Sequence, residues 1–463
     1  MITMKFGGTS VGDVQRINDA ATIVRSHLSR HLVVVASAMG GVTNTLLDTA
    51  HLAARRETRR VDANIEGLRQ KHLQVAHIVE QPEARKALID RQARLIDELS
   101  NLCRGVSLLR ELSVRSLDAI SAFGEVLSCV QLTAILNSRG VDAEFIDARA
   151  IVRTDDHFGE AAVDFSVTRR SARKRLLPLV KRNIVPIVTG FIGSTEDGLT
   201  TTLGRSGSDY TASIMGAALD SEEIWIWTDV DGVMTADPRA VKKATVLPEI
   251  TYREAAEMSY FGAKVIHPKT MMPAIESSIP IRIKNTFNPS HPGTLISKTA
   301  NQTERVVKNV TSIDKLSLVS IEGNGMVGVP GISARIFAAL ARVQVNVMMI
   351  SQASSEHNVC LVIPQNDCKR GLKALRGEFE IEFSKKAIDD IKLLDNVSIV
   401  AVVGAGMKGT RGIAAKTFTA VASAGVNIMA IAQGSSELNI SFVVAQSEAR
   451  QAVQAIHDAF HLA

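Results

Sequence analysis

"MKFGGTSVGD" (residues 4–13) and "HLVVVASAMGGVTN" (residues 31–44) decide how the first half of the chain is read. Each is a strand-length apolar run that breaks into paired glycines and then into a helical pattern, the first helix expected over Val14 to Leu28. Two strand–turn–helix units in succession predict a parallel α/β sheet. A glycine turn between a strand and a helix presents backbone N–H groups and a helix N-terminus, which together favour anionic oxygens. Lys5 precedes its glycines and no Gly-Lys-Ser/Thr follows, so this turn is not a P-loop. The second turn, residues 37–44, repeats the arrangement at the next strand end, where open α/β sheets bind ligands.

Outward from these turns, residues 50–120 form a helical excursion rich in Arg, Glu, Gln and Leu, with helical spacing at Leu88, Leu95 and Leu99. His51, His72 and His77 lie in it without a carboxylate or cysteine cluster, so they read as packed or solvated side chains. Strand signals return at 143–148, 184–193, 222–230 and 279–286, with helical stretches between them. The alternation carries the α/β reading to about residue 300. At 463 residues the chain is long enough for several domains. Its 46% hydrophobic and 22% charged residues suit a water-soluble fold, with no apolar run near membrane-spanning length expected. No signal-peptide pattern opens the chain, so a cytoplasmic location is expected. Cys103, Cys129, Cys360 and Cys368 lack metal-site spacing and read as reduced thiols. A net charge of +5 with 4% aromatics argues against nucleic acid and allows a small anionic ligand.

Beyond the polar segment 297–309 the chain repeats itself. "LSLVSIEGNGMVGVPG", from Leu316, aligns without a gap to "VSIVAVVGAGMKGTRG", from Val397, and the match continues through Phe337/Phe418, Asn346/Asn427 and Ser355/Ser436. Each copy reads as the beginning of a βαββαβ sandwich. After the last helix only Leu462 and Ala463 remain, so the strand-like piece "RVVKNVTSI" (305–313) is expected to fill the open edge of the second copy, threading one module through the other. The expected domains are 1–300, 301–390 and 391–463.

Three further clusters carry chemistry. "TTLGRSGSDYTA" (201–212) joins a fixed cation, small residues and a carboxylate at a helix start; "WTDVDGVMTADPR" (227–239) ends a strand in Thr228 and Asp229; "SYFGAKVIHPKT" (259–270) offers Lys264. With "KFGGTS", the glutamate of "FGEVLS" and "GFIG", in this order and followed by the repeat, the sequence resembles the aspartate kinases of the amino acid kinase fold, with two tandem ACT modules. The resemblance covers nearly the whole chain. It implies an open, mostly parallel sheet between helices, followed by two βαββαβ ACT domains. The implied reaction is transfer of a phosphoryl group from Mg-ATP to the β-carboxylate of L-aspartate, the first step towards lysine, threonine and methionine.

That chemistry suits the residues. A carboxylate with a pKa of about 3.9 is ionised at neutral pH and needs no general base. The obstacle is repulsion between two anions, which preorganised cations and N–H donors relieve. By the resemblance, Lys5 and Asp209 are catalytic, Lys5 sitting on the transferring phosphoryl group and Asp209 fixing the lysine. Thr43, Glu125, Phe191, Arg205, Ser208 and Asp209 hold aspartate, with Glu125 on the α-ammonium and Arg205 gripping a carboxylate. Lys5, Gly7, Gly8, Ser37, Thr228, Asp229, Arg239 and Lys264 fall where the family holds the nucleotide. Magnesium is expected to arrive with ATP and to keep waters, with no protein-only metal cage. Two positions depart from the family pattern: many relatives have Gly at Ser206 and Tyr at Met234.

The resemblance also implies an amino-acid effector. Both copies carry a glycine turn suited to an α-carboxylate, an Asn after the helix (Asn346, Asn427) and a Gln on the next strand (Gln352, Gln433). Uncharged Gln352, near Met348 and Ile350, fits threonine better than lysine, whose ammonium needs a carboxylate or carbonyl cluster. A homodimer or a dimer of dimers through the ACT modules is expected, because their apolar edge strands need cover. Against this kinase stand a catalytically silent amino-acid sensor and an amino acid kinase of different carboxylate choice; ATP-dependent hydroxamate formation separates the three.

Overall fold

The computed structural model describes residues 1–262, 266–300, 305–352 and 357–463. Two compact units emerge. One takes residues 1–233, 248–252 and the described part of 265–300; the other takes 234–247 and the described parts of 253–264 and 301–463.

The first unit is built on an eight-stranded sheet in the order Ala143–Ile146, Val185–Thr189, Leu32–Ala36, Ile2–Phe6, Glu223–Thr228, Ile281–Asn285, Thr294–Ser297, Glu249–Thr251. All neighbours are parallel except the Ile281–Asn285 and Thr294–Ser297 pair. Two neighbouring inner strands, Leu32–Ala36 and Ile2–Phe6, are buried along their whole length, as expected of parallel strands covered on both faces. Helix Val14–Ser26 begins at Asp13, whose side chain accepts from Arg16 N–H and caps the first turn. The excursion resolves into helices Thr58–Ala76, Pro82–Leu109 and Val114–Ser121, the second entered through Pro82 at its first turn.

One expectation changes. The stretch Val114–Ser138 is long and apolar enough to cross a membrane by composition, although 83% of its most apolar window is buried inside the protein. In sequence Asp118 and Glu125 interrupt the apolar run, whereas in the fold helix Val114–Ser121 leads almost directly into Phe123–Ser138. All four cysteines are free thiols.

The second unit holds a six-stranded sheet in the order Met349–Gln352, Asn358–Pro364, Asn309–Glu322, Asp390–Val403, Asn439–Ala445, Ala430–Ala432. Two 14-residue antiparallel strands run through its middle. Residues 309–313 pair with 399–403 and residues 318–322 with 390–394, with register shifts between Ile313 and Leu318. Each central strand therefore serves both repeats. Segment 234–247 also belongs here: Ala236 and Val241 sit in the second repeat's core with Phe442 and Ile456, and Val310 N–H donates to the Thr235 carbonyl.

Candidate active site

Strand Ile2–Phe6 is flanked in register by Leu32–Ala36 and Glu223–Thr228, which puts the end of the Lys5 strand at the middle of the sheet's loop edge. Lys5 is 8% exposed, and its Nζ lies 2.6 Å from the Asp209 carboxylate. The glycines keep the space beside the lysine tight. A Cβ on Gly7 would stand 3.1 Å from the lysine Nζ, and one on Gly8 3.1 Å from the Ala38 carbonyl oxygen, so a side chain there would push the lysine aside or part the two turns. Ser37 N–H donates to the Phe6 carbonyl at 3.0 Å. The second turn closes at Gly41, φ 82°, and opens helix Val42–Ala54 with Thr43 half-buried in its first turn.

Glu125 stands in the first turn of helix Phe123–Ser138 and is 3% exposed. Its Oε1 accepts from the Ala38 N–H at 3.1 Å, whereas Oε2 is buried with no hydrogen-bond partner among the described residues. Burial pushes its pKa up to about 8, against the opposing pull of the Ala38 N–H and of Lys5. Half of this carboxyl is thus committed to the glycine turn, and half meets no partner among the described residues.

The third wall is strained. Phe191 and Ser206 both hold left-handed backbone, φ 69° and 57°. Phe191 N–H donates to Thr211 Oγ1 at 3.0 Å, and a Cβ on Gly207 would come 2.6 Å from the Phe191 ring, so the glycine lets the ring lie on the helix Gly207–Leu219. Ser208 and Asp209 occupy the first turn of that helix. Arg205 is exposed and, among the described residues, has no ion-pair partner.

One cavity of about 710 Å³ gathers Lys5, Gly8, Ser37, Thr43 and Glu125 with Phe191, Arg205, Ser208 and Asp209. Gly7 lies under Lys5 and outside the lining. Thr228 and Asp229 end the strand beside that of Lys5, with the Thr228 hydroxyl 3.2 Å from the Asp229 carboxylate. Arg239 lies in the second unit, exposed and paired with Asp237 at 2.6 Å. Lys264 is outside the described residues. The effector candidates Asn346, Gln352, Asn427 and Gln433 are exposed in the second unit.

Two cavity-shaping residues escaped the sequence reading. Asp118, 3% exposed, accepts from the N–H groups of Gly159 and Thr202 at 2.9 Å each and from the Thr202 hydroxyl at 2.8 Å, tying three segments of the wall together. Lys71 Nζ donates to the Gly40 carbonyl at 2.5 Å and so holds the second turn from behind. Both lie in the helical excursion, where amphipathic spacing explains every charge as solvated; only the fold distinguishes these two.

The family model described as amino acid kinase family matches residues 1–285, and that of the ACT domain matches 319–379 and 400–460. A bifunctional aspartokinase/homoserine dehydrogenase 1 of Arabidopsis thaliana is 40% identical over 99% of this chain, which covers 51% of that protein; aspartokinase 1 of the same plant is 35% identical, with 99% of this chain covering 79% of it. The chain spans about half the length of the bifunctional relatives it matches. E. coli aspartokinase III, solved with aspartate and ADP, superposes with a TM-score of 0.82 at 30% identity, covering 99% of both chains; its structure with lysine and aspartate gives 0.81 at 31% identity. The chain belongs to the amino acid kinase family, among the aspartokinases that carry a pair of ACT domains.

Proposed function

We propose that this chain phosphorylates the β-carboxylate of L-aspartate with ATP, giving 4-phospho-L-aspartate and ADP, as the opening step of lysine, threonine and methionine synthesis. The carrying observation is the buried Glu125 Oε2, without a partner among the described residues, in the cavity that also holds the Lys5–Asp209 pair and Arg205. An α-ammonium satisfies Oε2 and draws Glu125 into its ionised form, while Arg205 takes the α-carboxylate with Thr43, Phe191 and Ser208 shaping the pocket. The β-carboxylate then faces Lys5. One of its oxygens bonds to the γ-phosphorus as the bond to the ADP oxygen breaks, and no proton moves. Lys5, held by Asp209, meets the negative charge on the transferring oxygens, and the turn at Gly8 adds a backbone N–H that needs no reorganisation, while the Gly7 and Ser37 N–H groups brace the turns on the Trp227 and Phe6 carbonyls. Magnesium would arrive with the nucleotide and would supply charge neutralisation on its phosphates. Thr228, Asp229, Arg239 and Lys264 are proposed for the nucleotide.

The ACT pair is proposed to bind an amino acid that inhibits by favouring an inactive arrangement. L-Threonine is the preferred effector on Asn346 and Gln352, with Asn427 and Gln433 their repeats, whereas the E. coli relative was solved with lysine. Association of chains through the ACT domains and a cytoplasmic setting complete the reading. The test is hydroxamate formation with ATP and hydroxylamine from aspartate, glutamate or acetylglutamate, with threonine or lysine added. Aspartate-specific product inhibited by threonine supports the reading; product from another acid overturns the substrate, and inhibition by lysine alone overturns the effector.

A further inference from the structure

The two ACT copies share a backbone frame but differ at one spot. Each first strand ends in a glycine turn, Gly323-Asn324-Gly325 in the first copy and Gly404-Ala405-Gly406 in the second. In both, the segment leading into the exchanged strand packs on the turn: a Cβ would stand 2.3 Å from the Ala387 carbonyl oxygen on Gly323, and 2.3 Å from that of Val306 on Gly404. Asp389 N–H donates to Glu322 O at 2.8 Å, and its counterpart Lys308 N–H to Val403 O at 2.9 Å. At this matched position the charge is reversed, and the surroundings differ. Asp389 and Asn324 are exposed, and among the described residues no carboxylate meets the Asn324 N–H.

In the second copy, Glu254 of helix Tyr252–Tyr260 is fully buried on the turn. Its Oε1 accepts from the Ala405 N–H at 2.8 Å, and its Oε2 lies 3.1 Å from Lys308 Nζ, itself 5% exposed. One turn further along, Glu257 accepts from the Asn439 side-chain amide, so the helix is fixed to this copy at two points. A carboxylate shared between a backbone N–H and an ammonium is the recognition that a free amino acid's own carboxylate requires.

We propose that the second ACT copy carries a built-in ligand: the Glu254 carboxylate fills the carboxylate position of its glycine turn, leaving only the first copy open to a free amino acid. Tethered within the chain, Glu254 competes at an effective concentration of ~mM or above, which a free metabolite must exceed while displacing a buried pair. The inference rests on the effector reading above and narrows it to Asn346 and Gln352, since the turn of the copy that carries Asn427 and Gln433 is then already occupied. Glu254→Ala opens a site for a small carboxylate. Thermal unfolding of wild type and variant is compared in acetate and in chloride of equal ionic strength, and labelled threonine and lysine are counted by equilibrium dialysis. Acetate raises the Tm of the variant by several degrees and leaves the wild type unmoved; wild type binds one amino acid per chain and the variant two. Equal acetate response in both proteins, two sites in the wild type, or one in the variant overturns the proposal. If neither amino acid binds the wild type, the effector reading fails and the acetate comparison alone decides. Should Glu254→Ala not fold, Glu254→Asp, a methylene shorter, is read with formate in the same way.

Discussion

If Glu125, its pKa pushed up to about 8, takes the α-ammonium as proposed, aspartate binding should be a proton-releasing event. At pH 7 only about a tenth of this carboxyl is ionised, and at pH 6 about a hundredth. An ammonium that demands the ionised form therefore costs about 1.4 kcal/mol at pH 7 and about 2.7 at pH 6 relative to alkaline solution. The aspartate KM of the wild type should rise about tenfold per pH unit from pH 7 to 6 and level off above about pH 8. The substrate β-carboxylate, with a pKa of about 3.9, stays ionised throughout and adds no slope. Calorimetry in two buffers of different ionisation heat should count about 0.9 proton released per aspartate at pH 7. Glu125→Gln should bind weakly and release none. A wild-type KM flat from pH 6 to 8, with no proton released, would refute the placing of the ammonium on Glu125.

The remaining expectations are cheaper to check. Lys5→Met should lower kcat roughly 10²-fold or more while sparing much of the aspartate affinity, because the lysine acts on charge that develops during transfer; steady-state kinetics at saturating ATP reads both. Ser206→Gly should stabilise by about 0.5–1 kcal/mol, since left-handed backbone costs a non-glycine residue about that much net of the glycine's own entropy; a raised urea midpoint at unchanged slope confirms it. Burial holds His72 down to about pKa 4. Because its folded pKa lies below the unfolded value, its stabilising contribution is present above about pH 6.5 and drains away towards pH 4, so His72→Leu should flatten Tm over that window. Glu125 has the opposite sign in the unliganded protein: its raised pKa favours the fold at low pH and the advantage fades as pH rises through about 8, so Glu125→Gln should gain Tm relative to wild type between pH 5 and 9.

What could be read from sequence and what could not divides along physical lines. The turns after Lys5 and Ala36 announce themselves because glycine pairs after apolar runs have few structural uses, whereas Glu125, inside the first turn of its helix, is singled out only by the resemblance to the aspartate kinases. The repeat announces a shared frame but not its wiring. Periodicity identifies a strand without naming its neighbours, and the pairing of 309–313 with 399–403 rests on long-range edges. Segments 234–247 and 253–262 read as a continuation of the α/β pattern, yet Ala236, Val241 and Glu254 bury their side chains with the repeats. Asp118, Lys71 and Glu254 matter through backbone groups 40 or more residues away or on another segment, and no local pattern encodes such partners.

The account stands or falls on which carboxylate is phosphorylated. Aspartate labelled with 13C at its β-carboxyl carbon, turned over with ATP in hydroxylamine and followed by 13C NMR, tests this directly. If Glu125 and Arg205 hold the α-groups and Lys5 faces the β-carboxylate, the labelled carbon becomes the hydroxamate as ADP accumulates in equal amount. Hydroxamate at the unlabelled α-carboxyl carbon, or ADP formed without hydroxamate, would contradict it.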